Sequence, residues 1–530
     1  MVTTMWKRRM SWVRWLLCGV GLAVVSARAD TSVELRQYLE SLDAGSPAIV
    51  ADQRLLAAKE LQRFYRQRQH QAVWVDNEVS EQLVADLIAA IESSGQHGFL
   101  PDNYHLALLQ REGLHPLARE LLATDAFLAQ ARHRQNGVLD PKTIDPEWSL
   151  SRETRDPVGL LNEALAQGQI QATLNGLWPI HQEYQALLDK RAQLLAMQDT
   201  ETAEVPPGPA LKPGMQGERV TLLKQRLLGP GEYSDAFDAT LEASVRAFQA
   251  AAGLDVDGVV GAATLERLNA SHFSWIDRVD ANLERWRWLP DVLPETYLRV
   301  NIAAFSLRAI RNNKDDYRMN VIVGKPFRRT PVFSESMKYF VYNPYWNVPP
   351  SIATKDKLPL LRKDAGALES IGYEVKVPHQ SQFIGVSQVD WTGVTPRNFN
   401  YVLRQQPGPK NALGSLKFML PNPYAVYLHD TPDHNLFQKQ ERGFSSGCVR
   451  LSDPLGLAYW VLNTDGQSQS RQDIQQQIDS RETRTVYLKK PIPVYIVYLT
   501  AFVDENGEVV FRRDLYQRDQ PIVRQLRQEF

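Results

Sequence analysis

Cys448 and His429 are the residues of this chain whose types and spacing could support covalent chemistry. Cys448 lies in the run Ser445-Ser-Gly-Cys-Val-Arg450, and His429 lies 19 residues before it, at the end of an apolar segment. An imidazole can take the proton of a thiol, and the resulting thiolate can attack a carbonyl carbon. Gly447 frees backbone amides beside the sulfur and Arg450 brings a cation, so the sequence predicts a lowered thiol pKa. The alternative is a small buried cysteine with a structural role.

The segment before His429 predicts the element that presents the histidine. Tyr424-Ala-Val-Tyr-Leu-His429 is typical of a strand, in which Tyr427 and His429 share one face while Val426 and Leu428 share the other. The histidine therefore faces away from the aliphatic side chains. The 19 residues that separate it from the cysteine are enough for the chain to leave the strand and return beside it.

The first 29 residues have the layout of a signal peptide. Four basic residues precede an apolar run over 15–25, and Ala27-Arg-Ala29 follows as a cleavage site. This run is about half of the roughly 20 residues that a membrane-spanning helix needs. We therefore expect export to the periplasm with cleavage after residue 29, and an uncleaved membrane anchor is the alternative. Cleavage would remove Cys18 and leave Cys448 without a disulfide partner.

Length and charge narrow the classes of function. The chain has 530 residues, 60 of them Lys or Arg and 61 Asp or Glu, and residues 1–29 hold five of the basic residues and none of the acidic ones. A chain of this length predicts three or four domains. Without residues 1–29 the chain has a net charge of -6, which lacks the excess of positive charge that nucleic-acid binding needs, so no nucleic-acid partner is expected.

Hydrophobic periodicity predicts a multidomain α+β fold. Apolar residues recur at helical offsets in the first part of the chain, as in Leu35, Leu39 and Leu42, and alternate in short strands in the second part. A proline-rich stretch predicts a linker between them. The predicted units are 1–29 (signal peptide), 30–198 (helical scaffold), 199–213 (linker), 214–270 (three-helix domain), 271–295 (connecting helix), 296–490 (β-rich domain, interrupted at about 351–407) and 491–530 (C-terminal strands and tail).

The strand-rich part also contains a long interruption and a predicted hairpin turn. The interruption at about 351–407 is charged and includes Trp391, and a structureless loop of that length is uncommon in a compact domain, so we expect an inserted subdomain that caps the site. Asn506-Gly507 in the tail predicts a hairpin turn.

Metal binding is the competing interpretation of the histidines. Those of the helical part, His70, His97, His105, His115, His133 and His181, lack metal-ligand spacing. His429, Asp430 and His434 could be considered as zinc ligands, but the intervening Pro432 opposes a helix and the HExxH pattern is missing. We therefore expect neither a metal nor a cofactor.

Residues 211–269 resemble the peptidoglycan-binding domain of the common three-helix type. The resemblance rests on Gly214 and Gly217, on the run Val245-Arg-Ala-Phe-Gln249, and on the turn from Asp257 to Gly261. Glycines at such turns permit positive φ, so most of this motif specifies fold. The resemblance implies the cell wall as the class of ligand.

The strand-rich part resembles the L,D-transpeptidase family of the YkuD type, in the large periplasmic branch that carries a peptidoglycan-binding domain. The motifs that carry the resemblance occur in the family's order and include both residues of the cysteine–histidine pair. They are Val321-Ile-Val-Gly-Lys325, Thr330-Pro331, Asn343-Pro-Tyr-Trp-Asn-Val-Pro349, Pro407-Gly-Pro-Lys-Asn-Ala-Leu-Gly414, Lys417-Phe418, Tyr427-Leu-His-Asp-Thr-Pro432 and Ser445-Ser-Gly-Cys-Val-Arg450.

The resemblance implies a role for each matched residue at the site. Cys448 is the nucleophile, His429 is its base, and the main-chain carbonyl of Asp430 orients the imidazole. The amides of Gly447 and Cys448 are the implied donors to an oxyanion. The family often has glycine where this chain has Asp430 and histidine where it has Ser446, so a second histidine is missing and His429 would carry all the acid-base work.

Four further residues are assigned less closely. Tyr427, Trp346 and Asn347 are candidates for the wall of the substrate pocket, and packing in a β core is the alternative for the two aromatic residues. Arg450 could pair with a substrate carboxylate or brace the loop that carries the cysteine.

The implied activity is acyl transfer between peptidoglycan stems. A thioester on Cys448 would replace the terminal D-alanine of a tetrapeptide stem, and the side-chain amine of a second stem would resolve it. Water as acceptor would give an L,D-carboxypeptidase, and a lipoprotein lysine would give lipoprotein attachment; a wall-binding structural protein is the non-enzyme alternative. The implied partners are stem peptides, glycan strands, cell-wall synthesis proteins and β-lactams of the carbapenem type.

Overall fold

The structure is a computed structural model that describes residues 31–43, 45–75, 78–196, 204–229, 231–269, 272–504 and 506–529. The predicted signal peptide at 1–29 lies outside the described residues. Among the helices that are described, we find none with the length and apolar character needed to span a bilayer.

Residues 31–196 form a helical unit around one buried helix, α5. Its Asp125 accepts hydrogen bonds from the amides of Leu56 and Ala57 at 2.9 and 2.7 Å, where α2 begins without a capping side chain of its own. Buried polar groups that are paired in this way fix how neighbouring segments pack. The elements are α1 (31–43), β1 (Ile49–Val50), β2 (Gln53–Arg54), α2 (Ala58–Gln67), α3 (Glu78–Ser94), α4 (Leu106–Leu109), α5 (Pro116–Asn136), α6 (Pro141–Ile144), α7 (Pro157–Gln167), α8 (Ile170–Asn175) and α9 (Gln182–Ala196).

A three-helix unit follows, with α10 (Glu218–Leu228), α11 (Ala239–Ala252) and α12 (Ala262–Asn269). Gly253 ends α11 at φ +68°, in the left-handed region that favours glycine. Val205 and Leu211, which lie in the predicted linker, are buried in the core of this unit, and the Val205 amide donates to Oδ1 of Asn269 at 3.1 Å. The unit therefore begins earlier than predicted, because its helices cover these two apolar side chains.

The rest of the chain combines a long helix with strands. Its elements are α13 (His272–Arg287), β3 (Tyr297–Asn301), β4 (Ser306–Arg311), β5 (Lys314–Gly324), β6 (Phe333–Tyr342), β7 (Trp346–Asn347), α14 (Pro350–Ile352), α15 (Leu358–Glu369), β8 (Tyr373–Lys376), β9 (Ile384–Gly385), β10 (Val402–Gln405), β11 (Leu416–Met419), β12 (Leu428–His429), β13 (Gly443–Ser445), β14 (Val449–Leu451), α16 (Pro454–Thr464), α17 (Arg471–Asp479), β15 (Arg484–Val497), β16 (Ala501–Val503), β17 (Val509–Phe511) and α18 (Asp519–Leu526).

Eight strands pair in a closed circuit. The order is β5, β14, β12, β11, β6, β15, β3 and β4, and β4 pairs back onto β5. The long β5 makes this closure possible, because Lys314–Asn320 pairs with β4 and the two residues after Asn320 pair with β14. A barrel of eight strands is just wide enough to be filled by side chains. Its interior is accordingly apolar, with Val300, Val321 and Phe418 fully buried.

The insertion forms its own small unit, which we call the cap and define as residues 346–413. Its four strands pair in the order β7, β10, β8, β9, and α15 packs beside them. Apolar residues such as Val375 and Leu403 form a core separate from that of the barrel, and the side chain of Tyr427 packs against it. The predicted multidomain α+β architecture with a capping subdomain is confirmed.

The helical unit and the barrel share part of one core. Tyr184, Leu187 and Leu194 of α9 belong to the barrel's hydrophobic cluster, and Arg299 of β3 pairs with Glu183 at 2.6 Å. The predicted boundary at residue 198 therefore does not separate two independent cores. Likewise, β15 crosses the predicted boundary at 490 and pairs with both β6 and β3.

The segment before His429 is shorter as a strand than predicted. Only Leu428–His429 is strand, and Ala425 has φ +55°. The cause is Asn422, whose Oδ1 accepts hydrogen bonds from the amides of Tyr424 and Val426 at 3.0 and 3.1 Å and holds a turn there. The hairpin predicted at Asn506-Gly507 is confirmed, since β16 and β17 pair antiparallel on either side of it.

Candidate active site

Two adjacent barrel strands bring Cys448 and His429 to the same region. Strand β12 ends at His429 and pairs in parallel with β14, so that Leu428 lies opposite Val449. Cys448 immediately precedes β14, and the Val449 amide donates to the carbonyl of Tyr427 at 3.1 Å. The cysteine is therefore held next to Tyr427, the residue whose ring lies 5.5 Å from that of His429.

The loop before β14 is fixed by two hydroxyl groups. Ser445 Oγ donates to the Cys448 carbonyl at 2.5 Å and accepts from the Gly447 amide at 3.1 Å. Thr330 Oγ1 donates to the Gly447 carbonyl at 2.8 Å. Gly447 has φ +117°, which a residue with a side chain rarely adopts. These bonds hold the nucleophile candidate in one main-chain conformation.

The two main-chain amides expected to face an oxyanion differ in their contacts. The Gly447 amide donates to Ser445 Oγ in this conformation, and its role as an oxyanion donor stays a prediction. Within the part of the chain that the structure describes, we find no acceptor for the Cys448 amide. The role of the Cys448 amide as an oxyanion donor also stays a prediction.

His429 is buried and held by one strong contact. Its Nδ1 lies 2.5 Å from the carbonyl oxygen of Asp430. A carbonyl can only accept, so Nδ1 carries the proton and Nε2 keeps its lone pair. Burial, together with the charges of Arg450 and Lys417 and against the opposing hydrogen bond to Asp430, lowers the pKa of His429 to about 3. The imidazole is therefore neutral at neutral pH and can accept a proton at Nε2.

The thiol does not have the lowered pKa that the sequence predicts. Burial raises the pKa of Cys448, although hydrogen bonds from the main chain and side chain of Tyr427 and the charges of Lys417 and Arg450 act in the opposite direction. Sγ donates a long hydrogen bond, 3.8 Å, to the carbonyl of Ala425. The prediction failed because the desolvation of the sulfur outweighs its neighbouring cations. The resting pair is a neutral thiol with a neutral imidazole.

Asp430 occupies a position at which the family that this chain resembles often has glycine, and its side chain has a structural role. Its Oδ2 accepts from the Ser415 amide and its Oδ1 from the Thr431 amide, both at 2.7 Å. Burial raises the pKa of this carboxyl. Gly414, at φ +59°, leaves the space that the carboxyl occupies, because a Cβ there would lie 2.3 Å from Cγ of Asp430.

Gly414→Ala is accordingly expected to destabilise the fold by about 2 kcal/mol more than Gly466→Ala. Both glycines have positive φ, +59° and +71°, but a Cβ at Gly466 would meet nothing within 4 Å. The difference between the two variants isolates the collision with Asp430. Denaturant unfolding of the two proteins gives the comparison, and equal losses would show that Asp430 moves aside without cost.

Arg450 and Ser446 both bind neighbouring side chains. Arg450 pairs with Asp433 at 3.3 Å, which is a bracing contact within the protein. Ser446 Oγ accepts from Arg328 at 2.9 Å, and Arg328 also forms an ion pair with Asp356 of the cap. Arg328 was not singled out in the sequence, and it links the nucleophile loop to the cap.

The three predicted pocket residues differ in position. Tyr427 lies at the sulfur, as described above. Trp346 is 7% exposed and lies in the core of the cap, where its side chain hydrogen-bonds to Tyr427, so it joins the cap to the site. Asn347 is exposed and pairs with Arg404 across β7 and β10, and no contact with the cysteine or the histidine is found among the described residues.

Lys417 is a site residue that the sequence left without a role. It lies directly opposite His429 in the β11–β12 pair, and its Nζ is 4.0 Å from the centre of the Tyr427 ring. The sequence placed Lys417 in a strand, but its partner across the sheet depends on the pairing register.

No set of three or more His, Cys, Asp or Glu side chains in the described segments is arranged to hold a metal ion.

Comparisons with known proteins find matches to family models in three regions. Residues 295–494 match the family model described as "L,D-transpeptidase catalytic domain", residues 216–268 that described as "Putative peptidoglycan binding domain", and residues 59–190 that described as "Scaffold domain". A curated protein of Haemophilus influenzae, named "Putative L,D-transpeptidase", is 33% identical over 241 residues. The match covers 46% of this chain and spans about half, 48%, of that relative.

Solved structures were also matched. An LD transpeptidase in complex with imipenem has 15% identity and a TM-score of 0.19, covering 38% of this chain and 59% of that one. An L,D-transpeptidase from Mycobacterium smegmatis has 13% identity and a TM-score of 0.18, covering 38% and 58%. At these TM-scores neither structure supports an argument about this chain.

Proposed function

Residues 295–494 belong to the L,D-transpeptidase catalytic domain family, and from this premise we propose that the protein is a cysteine L,D-transpeptidase of peptidoglycan. The observation that carries the proposal is the placement of Cys448 beside the strand that ends at His429, on a loop fixed by Ser445. A neutral imidazole with a free Nε2 is the form that can take the thiol proton.

In the first step, the thiol proton moves from Sγ to Nε2 of His429 as sulfur attacks the amide carbonyl between the diamino acid and the terminal D-alanine of a tetrapeptide stem. The Cys448 amide donates to the carbonyl oxygen as it becomes an oxyanion. His429 then returns the proton to the departing amine. The C–N bond breaks, D-alanine leaves, and a thioester remains on Cys448. The low pKa of His429 makes its imidazolium a strong acid, which favours this return.

In the second step, the side-chain amine of a second stem attacks the thioester. His429 removes the amine proton, the C–S bond breaks, and Sγ recovers a proton. The product joins two third-position residues. The step requires no external energy source, because the thioester retains the reactivity of the cleaved amide.

The substrate implies a location in the periplasm and partners in the cell wall. The three-helix unit, which matches a peptidoglycan-binding family, would bring the barrel to glycan strands. Cell-wall synthesis proteins are the proposed protein partners, and carbapenems are proposed to acylate Cys448.

Incubation with a disaccharide tetrapeptide and mass analysis of the products tests the function. We expect dimers that have lost one D-alanine for each cross-link. Tripeptides without dimers would instead assign a carboxypeptidase that uses water. Tripeptide stems joined to a lysine of an added lipoprotein would assign lipoprotein attachment. Unchanged substrate would contradict the enzyme proposal and leave a wall-binding protein.

The pH dependence of acylation follows from the two pKa directions. His429, with a pKa of about 3, stays neutral throughout the range from about pH 5 to 9 and gives no inflection there. Burial raises the pKa of Cys448, so the thiol stays protonated up to about pH 8, and the neutral thiol and neutral imidazole that the proposed first step needs are both present from about pH 5 to 8. We therefore expect the second-order rate of Cys448 acylation by a carbapenem to change little from about pH 5 to 8. An acid limb near pH 6.5, the ordinary value for histidine, would contradict this assignment.

A further inference from the structure

The site contains a cation that the proposed mechanism does not use. Lys417 lies opposite His429 on the neighbouring strand, and its Nζ stands 4.0 Å from the centre of the Tyr427 ring. Side chains directly opposite in an antiparallel pair lie on the same face of the sheet. Lys417 and His429 therefore share one face, and the Tyr427 ring lies next to both of them.

The charges around the sulfur come from three barrel strands, the loops beside them and the cap. Lys417 comes from β11, Tyr427 and His429 from the segment ending in β12, and Arg450 from β14. Arg450 is committed to Asp433, and Asp430 directs its carboxyl to main-chain amides. Arg328 is paired with Asp356, and Lys357 of the cap packs over the Trp346 ring at 5.5 Å.

Lys417 differs from these cations in having no carboxylate partner that we can find among the described residues. Its Nζ lies over the Tyr427 ring; burial lowers the pKa of Lys417, and the charge of Cys448 opposes that shift. A cation held over an aromatic ring keeps its charge with little hydration. It is then available to a nearby anion, and the thiolate of Cys448 is the anion that forms at this site.

We propose that the Lys417 ammonium, and not an imidazolium at His429, is the cationic partner of the Cys448 thiolate. The role rests on the proposed function, because it takes Cys448 as the nucleophile. Lys417 transfers no proton: the S–H bond breaks, the proton passes to Nε2 of His429 or to solvent, and the ammonium remains charged throughout. The lysine thus takes the place of the second histidine that this chain lacks at Ser446.

The same cation acts on both partners. A positive charge beside the site favours the thiolate and disfavours the imidazolium. Lys417 therefore makes the sulfur easier to ionise and the protonated histidine a stronger acid. The first effect favours attack by the sulfur and the second favours protonation of the leaving amine, while uptake of the thiol proton by His429 becomes less favourable.

The rate of Cys448 alkylation by iodoacetamide as a function of pH tests this role without using any peptidoglycan substrate. Peptide mass analysis assigns the modified residue. In Lys417→Met we expect the inflection to move up by about one pH unit or more and the rate at pH 7.5 to fall about tenfold. Lys417→Arg keeps the charge and should remain close to the parent. Lys338→Met, at an exposed lysine of β6, is the matched control and should leave the profile unchanged.

Several results would overturn the proposal. An alkylation profile for Lys417→Met equal to that of the parent would remove Lys417 as the thiolate's partner. An unchanged profile with a raised KM for the tetrapeptide would reassign the lysine to a substrate carboxylate. Thermal unfolding checks that the variants fold, and Lys417→Gln removes the charge by a second route. Failure here is distinct from failure of the proposed function, which would appear as dimer formation that persists without Cys448.

Discussion

Replacing Cys448 by serine is expected to reduce the formation of cross-linked dimers by at least about a thousandfold, since loss of a nucleophile removes the covalent route. A serine hydroxyl keeps the size of the residue but ionises far less readily than a thiol. The hydroxyl and main-chain bonds of Ser445, Gly447 and Thr330 should still hold the loop. Dimer yield from a disaccharide tetrapeptide, followed by mass analysis, measures the effect.

Binding to isolated sacculi is the control for this variant. The three-helix unit has its own core, which includes Val220 and Leu223 and lies apart from the barrel. The serine variant should therefore sediment with sacculi as the parent does and unfold at the same temperature. Dimer formation at the parent's rate would remove Cys448 from the mechanism, and with it the cysteine transpeptidase proposal.

Replacing His429 by glutamine is expected to lower dimer formation by about 100-fold to 10,000-fold, the usual contribution of a general acid–base group. The variant loses the Nε2 lone pair that takes the thiol proton and the acid that protonates the leaving amine. The thiol itself remains and can still ionise in alkaline solution. Alkylation of Cys448 at high pH should therefore persist while transpeptidation is lost.

His379→Asn is a matched control, because His379 is exposed in the cap and its φ of +66° suits asparagine. It should retain the parent's dimer yield. If the glutamine variant also retained that yield, His429 would not be the base, and a proton acceptor elsewhere at the site would be needed.

The sequence was sufficient to propose the residues of the site, and the fold places Cys448 and His429 on neighbouring strands, but the sequence did not give their ionisation states. Cys448 and His429 could be singled out because their types and spacing permit a pair, and the catalytic domain family that the motifs indicated was recovered by comparison. The direction of the thiol pKa could not be predicted. Gly447 and Arg450 are visible in the sequence, but the burial of the sulfur, beside Tyr427, depends on how the chain folds around it.

Lys417 shows a second limit. The sequence identifies it as a strand residue, but its neighbour across the sheet depends on how β11 and β12 are aligned. A shift of one residue would place it on the opposite face. The turn at Tyr424 was missed for a related reason, because the strand-like run of apolar residues was overridden by the side chain of Asn422, which lies outside that run.

The domain boundaries could not be predicted accurately, because they depend on contacts between segments that are distant in sequence. Val205 looks like linker in the sequence because prolines follow it, yet α12 supplies its hydrogen-bond partner, Asn269. The composition of a segment indicates its local structural preference, but it does not show which distant residues pack against that segment in the folded protein.

Arg328 contacts both the cap and the loop that carries Cys448. One guanidinium holds Asp356 on the cap and the Ser446 hydroxyl two residues before the sulfur. If the proposed substrate moved the cap outward, either the ion pair between Arg328 and Asp356 would break or the loop that carries Cys448 would move with the cap. Substrate entry under the cap and the position of the Cys448 sulfur would thus be coupled through Arg328, even if Arg328 does not contact the substrate.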